Sequence, residues 1–194
     1  VYTVYSNVYS VDSGAMPRLD RDAVLHAGLA LADEGGLDAV TFRRVAERLG
    51  VTPMALYRHV ESKEDLLDGM ADLLYAELDI PDASGDWWSE LAALARSTRR
   101  VLLRHPAAAQ LFARPLAGPN SVRLGEALRG TLERAGFFPH EVDELHEQLT
   151  QMVFALVVPE LHPGPKRGRR ARDAAFERGI ELLHAGLLWR LGRQ

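Results

Sequence analysis

The chain has 194 residues, 47% hydrophobic and 26% charged, with a formal net charge of −4, which permits one large domain or a small domain joined to a larger one. No run of about 18 apolar residues occurs, so a hydrophobic helix across a membrane is excluded. Cysteine is absent, which excludes a disulfide framework and a thiolate metal site and fits a reducing, cytoplasmic setting.

Residues 1–16, VYTVYSNVYSVDSGAM, repeat Val-Tyr pairs and carry no charge before Asp12. They lack the basic start and continuous apolar stretch of a signal peptide, and Gly14-Ala15-Met16 reads as a cloning junction, so the segment is set apart as a leader outside the fold. Val24, Ala27, Ala30 and Leu31 then mark an amphipathic helix stopped by Gly35-Gly36. From Thr41 to Lys63, TFRRVAERLGVTPMALYRHVESK, the spacing is that of a helix-turn-helix. Val45, Leu49, Val51 and Leu56 supply the apolar contacts of two crossing helices, and Ala46 is small where they meet. Gly50 permits the left-handed turn, while Thr52 and Pro53 read as an N-cap and a proline at the first helical position. The second helix presents Met54, Ala55, Tyr57, Arg58 and His59, a set that suits a DNA major groove. Ser62 and Asp65 form a capping-box-like start for a longer helix striped by Leu66, Leu67, Met70, Leu73, Leu74 and Leu78.

After the breaker-rich stretch 79–85, Asp86 is a good N-cap for a helix through Trp87, Leu91, Leu94, Thr98 and Val101 to His105-Pro106. A shorter helix spans 107–113, and another runs from Asn120 to Ala135 with Val122, Leu128 and Leu132 inward, stopping at Gly136. Pro139 opens a long helix in which Val142, Leu145, Leu149, Met152, Val153 and Leu156 recur every three or four residues. The last helix carries Phe176, Ile180, Leu183, Leu187 and Leu191. No segment alternates like a strand, so the chain reads as all-α.

Thr41-Phe42-Arg43-Arg44-Val45-Ala46, Gly50-Val51-Thr52-Pro53, Leu56-Tyr57-Arg58-His59-Val60 and Ser62-Lys63-Glu64-Asp65-Leu66-Leu67 resemble, almost position for position, the TetR-type bacterial transcriptional regulators. That close match covers roughly residues 19–78. Asp86-Trp87-Trp88, Leu103-Arg104-His105-Pro106 and Gly118-Pro119-Asn120 are similar, more loosely, to the tetracycline-repressor-like C-terminal branch. The resemblance implies a three-helix DNA-binding domain over 17–65 and a helical ligand-binding and dimerisation domain over 66–194. It implies a homodimeric repressor on a palindromic operator, released by a small effector, with Thr41, Arg43, Arg44, Thr52, Pro53, Met54, Ala55, Tyr57, Arg58, His59 and Lys63 at the DNA. Lys63 and Tyr57 can hold phosphate, Arg58 can pair with guanine O6 and N7, and Met54 or Ala55 can touch a thymine methyl. Between Thr41 and Val60 four arginines stand against one acid, Glu47, although residues 17–66 as a whole are slightly acidic. Local charge decides phosphate attraction, because screening acts within about 8 to 10 Å.

The last two long helices are the expected dimer interface, through Leu145, Leu149, Val153, Ile180, Leu183, Leu187 and Leu191, and the resemblance implies that they form a four-helix bundle with a second copy. The competing reading is that both stripes fill the monomer core. Residues 159–172, with Pro-Gly-Pro and five basic side chains, are expected to form a solvated loop. Effector-site wall candidates are Trp88, Leu91, Phe112, Leu116, Phe137, Phe138, Met152 and Phe154, with His146, Gln148 and Glu160 as polar anchors. Asp79 and Phe112 fall where tetracycline-binding relatives carry the histidines around a magnesium-bound drug. The expected effector is therefore a different apolar or aromatic small molecule, with no cofactor and no metal.

A protein partner in place of the small effector is the alternative, and a dry, closed C-terminal core would favour it. An enzyme is the remote one: His140-Glu141 begins a zinc-protease pattern, but Glu144 stands where the second histidine is needed. Gly-x-Ser-x-Gly, Walker and Gly-x-Gly-x-x-Gly motifs are absent.

Overall fold

The computed structural model describes residues 19–81, 85–114, 118–161 and 168–193, and all regular structure among them is helical. Eight α-helices run in chain order: α1 Arg21–Gly35, α2 Phe42–Leu49, α3 Pro53–Leu56, α4 Lys63–Ala76, α5 Trp87–Arg104, α6 Pro119–Ala135, α7 Pro139–Leu161 and α8 Arg169–Leu191. Short 3-10 helices span Leu37–Ala39 and Pro106–Ala113, the second where a short helix was expected. The leader 1–16, Leu116, Lys166 and Arg167 lie outside the described residues. None of the described helices is long and apolar enough to cross a membrane.

Local chemistry sets the ends of the N-terminal helices. Asp20, Thr41 and Ser62 accept the backbone N–H of Ala23, Arg44 and Asp65, satisfying donors that a helix start leaves free. The Asp65 side chain reaches back to the N–H of Glu61 (2.8 Å), one residue before the capping-box partner that its spacing implied. At the end of α2, Gly50 takes φ 67° and ψ 29°, the left-handed conformation that turns the chain toward α3. Gly50→Ala is expected to lower stability by about 1 kcal/mol, read as a reduced urea midpoint with an unchanged slope.

The head is closed by Val24, Val40, Val45, Leu56, Val60 and Leu66, all fully buried. Below it, α4 packs between α1 and α6, and so belongs to both the head and the body. In the body, α5 lies against α6, α7 and α8. In α6 Leu124, Leu128 and Leu132 face inward and Val122 is half exposed, because burial follows the 121, 124, 128, 131, 132 periodicity. Both ends of the expected loop at 159–172 are helical, since α7 continues through Pro159 to Leu161 and α8 starts at Arg169, and residues 162–167 lie outside the described residues.

Candidate nucleic-acid interface and apolar cavity

The exposed face of the head collects most of the expected DNA contacts. Thr41, Arg43, Arg44, Thr52, Pro53, Met54, Tyr57 and Arg58 are exposed, Met54 at 75%, whereas Ala55, His59 and Lys63 are partly buried. The second helix is only Pro53–Leu56, and a turn held by His59 N–H to Leu56 C=O (2.8 Å) carries Tyr57, Arg58 and His59. Thr52 sits at the N-cap with no side-chain bond to the helix, which leaves its hydroxyl open to a phosphate. The Phe42 ring stacks on Tyr57 (centroids 4.7 Å apart, 18° between planes), fixing the direction of the phenol.

Not every cation here is equally available. Arg43 pairs with Glu47 (2.8 Å) and Arg48 with Glu34 (2.6 Å), whereas Arg44 and Arg58 have no ion pair among the described residues. Lys63 departs from the expected free phosphate clamp: its ammonium donates to the Val40 carbonyl, and burial pushes its pKa down. Arg21, which the short-range motif gave no reason to select, donates to the His59 carbonyl (2.7 Å) and grips Asp65 (2.5 and 3.1 Å). It ties the end of the recognition turn to α4 across 38 and 44 residues of sequence.

A second polar junction lies at the other end of the head. His105, the buried residue after α5, bonds Asp33 of α1 through Nδ1 (2.8 Å) and Glu77 beyond α4 through Nε2 (3.1 Å). Burial alone would lower its pKa, but the two carboxylates outweigh it and raise the value to about 9. A raised folded-state pKa gives stability that is complete below the unfolded value near 6.5 and is lost as pH rises through about 9. Urea unfolding should therefore lose stability between these pH values, at most on the order of 3 kcal/mol, and His105→Gln should flatten that slope.

The body holds an apolar cavity of about 70 Å³ that opens partly to solvent. Its wall takes Tyr75 from α4, Leu78 beyond it, Trp88, Leu91 and Thr98 from α5, Phe112 from the 3-10 helix, and Leu124 and Leu128 from α6. Leu149, Thr150 and Val153 of α7 and Ile180 and Leu183 of α8 close it. Among the described residues, the oxygen-bearing side chains on this wall are Tyr75, Thr98 and Thr150. Each donates its hydroxyl to a backbone carbonyl, of Phe112 (3.3 Å), Leu94 (3.0 Å) and His146 (2.9 Å), and keeps only acceptor capacity for a guest. Burial pushes the Tyr75 phenol up to about 12, so it stays neutral.

Of the expected wall residues, the structure brings Trp88, Leu91 and Phe112 together at the cavity. Phe137 is buried behind it, edge-on to Trp87 (6.4 Å), and Phe154 packs in the neighbouring cluster around Phe176. Phe138, in the connection between α6 and α7, and Met152 of α7 are each 48% exposed. The expected polar anchors are engaged elsewhere. Gln148 donates to Glu144 (2.8 Å), and His146, half-buried and lowered in pKa by that burial, lies beside Gly125. Glu160 accepts two bonds from Arg99 (2.8 Å each) in an arginine-rich cleft away from the cavity.

Within the single chain, the expected dimer residues all lie against its own core or cavity. Leu149, Val153, Ile180 and Leu183 line the cavity, Leu145 and Leu187 are buried in the chain's own core, and Leu191 packs against it. The apolar side chains that face outward on α8 are Leu182 (75% exposed), Leu188 and Trp189 (63%).

A family model described as bacterial regulatory proteins, tetR family, matches residues 24–70, and one described as tetracyclin repressor-like, C-terminal domain, matches residues 80–178. The chain is 30% identical to the tetracycline repressor protein class A from transposon 1721 of Escherichia coli, over 89% of this chain and 92% of that one. It is 39% identical to an HTH-type transcriptional regulator of Saccharopolyspora erythraea over 64% of its length, but spans only 54% of that relative. Among solved structures it is similar to the TetR family protein ActR of Streptomyces coelicolor in complex with actinorhodin. That likeness has a TM-score of 0.79 and 26% identity, covering 89% of this chain and 97% of the other.

Proposed function

Since the chain belongs to the TetR family of bacterial transcriptional regulators, we propose that it is a homodimeric repressor of a palindromic operator, released by an uncharged apolar or aromatic small molecule. The observation that carries this reading is the position of α4. Its Tyr75 faces the cavity, and its Asp65 holds Arg21 and through it the recognition turn. A guest that prefers one placement of α4 therefore has a route to different DNA affinities, which is what control by a ligand requires.

The cavity also favours a small effector over a protein partner, because a closed core would offer no guest a place. Its volume of about 70 Å³ is below the roughly 300 to 1,000 Å³ common to small-molecule sites, so a drug-sized guest must displace wall side chains to enter. The relatives' names point to polycyclic aromatic ligands, tetracycline and actinorhodin, and a wall of Trp88, Phe112 and leucines suits such a skeleton. A magnesium-bound tetracycline fits less well. Asp79 is occupied by Arg100, and Phe112 presents a ring where a metal ligand would be needed.

For the dimer, Leu182, Ala185, Gly186 and Trp189 form one exposed stripe of α8 at helical spacing, and Met152, Ala155 and Pro159 form another on α7. These outer stripes, and not the buried leucines, are the proposed seam of the four-helix bundle.

The test is a fluorescence-anisotropy titration of the operator complex with neutral polycyclic aromatics. Release of DNA by compounds that bind the protein, and loss of both effects in a cavity-filling Ala95→Trp variant, is the expected result. Compounds that bind in the cavity and leave DNA affinity unchanged would refute ligand gating.

A further inference from the structure

We infer that Asp72 is the positioning residue that couples α6, a wall of the cavity, to α4 and so to the DNA-reading head; this rests on the ligand-gated reading above. The first turn of α6 cannot cap itself. Gly118 at its N-cap has no side chain, Pro119 has no N–H, and the Ser121 hydroxyl is committed to Gly118, accepting its N–H (3.1 Å) and donating to its carbonyl (2.8 Å). The free donors are satisfied from another helix. Asp72 Oδ1 accepts the N–H of Asn120 and of Ser121 (3.0 Å each), and Oδ2 accepts the Asn120 side-chain amide (2.8 Å).

This contact is close as well as polar. A Cβ added at Gly118 would collide with the Asp72 carboxylate, so the glycine is what lets α4 sit against the start of α6. Charge adds to the hydrogen bonds, because the partial positive end of α6 points at an anion. Leu124, one turn beyond Asn120, is already cavity wall. A guest that pushes α6 must carry Asp72 with it or break three bonds at a partly buried site, where unpaired donors are costly.

Asp65, Asp68 and Asp72 lie on one face of α4, at helical spacing. Asp65 holds Arg21 of the head, Asp68 holds Arg114 after the 3-10 helix (2.5 Å), and Asp72 holds α6. The row links head and body by directional bonds along a single rigid helix. Sliding apolar contacts would let α6 move without moving α4; these bonds do not.

The test reads coupling and not affinity alone, using Nile red, a neutral aromatic dye, as the cavity probe. Its dissociation constant is measured with and without saturating operator DNA. In the wild type the two values should differ by about 5- to 150-fold, the usual span of such coupling. Asp72→Ala and Gly118→Ala should each still bind dye and DNA separately, with the ratio reduced below about twofold. Asp72→Asn keeps one oxygen for the two N–H groups and should retain most of the ratio. A wild-type ratio in both Asp72→Ala and Gly118→Ala would overturn the inference and leave gating intact. A ratio of one in the wild type itself would remove the gating reading, and this inference with it.

Discussion

Charging the outer face of α8, with Leu182→Arg and Trp189→Arg in one chain, is expected to turn a dimer into a monomer in sedimentation and to abolish high-affinity operator binding. Both side chains project from the folded monomer, so their replacement leaves the core filled and should change monomer stability by only about 0.5 kcal/mol. At a seam between two copies the same changes are severe. Tryptophan is typical of the few side chains that dominate an interface, and two arginines placed there would be desolvated without partners. The loss at DNA follows from geometry: a tethered second head finds its half-site at high effective concentration, worth roughly 100- to 10,000-fold in affinity. An unchanged dimer would put the interface elsewhere. Leu187→Arg is a poorer probe, because Leu187 is buried inside the chain and its replacement would unfold the body before it informed on assembly.

The second large effect is expected at the two unpaired arginines of the head. Arg58→Ala should cost about 1 to 3 kcal/mol on the selected operator and blur preference at one base position, as loss of a bidentate guanine contact does. Arg44→Ala should weaken all sequences about equally and reduce the salt slope by about one, as a phosphate contact does. Lys63→Ala is a less direct test of phosphate contact, since its ammonium is bonded to the Val40 carbonyl and its removal also disturbs the α4 start. Titrations at fixed salt in which neither arginine variant loses affinity would contradict this assignment.

The head was legible in the sequence because its signals are local. Gly50, Pro53 and Ser62 act on residues within a few positions of themselves, and each stands at the helix end that its chemistry indicated. Arg21 was not legible, because its partners His59 and Asp65 are brought near only by folding. The body shows the same divide more strongly. Apolar periodicity placed α7 and α8 correctly but could not say what their faces meet: Leu149, Val153, Ile180 and Leu183, expected at a dimer seam, line the cavity within the single chain.

Neighbouring residues made the same point from the other side. Phe137 is buried and Phe138 half exposed, although composition treats them alike. Glu160 was expected at a ligand and is met by Arg99, 61 residues away. The cavity's own chemistry emerged only when Tyr75, Thr98 and Thr150 were found spending their protons on backbone carbonyls. Asp72 carried no local signal, because its role depends on a glycine and two amides on another helix.

Selection of binding sites from a pool of random DNA duplexes, at two salt concentrations, tests the central claim most directly. The account predicts enrichment of a palindrome whose half-sites lie about one helical turn apart, with weaker recovery at higher salt. No enrichment at either salt by the effector-free protein would contradict a dimeric reader of operator DNA.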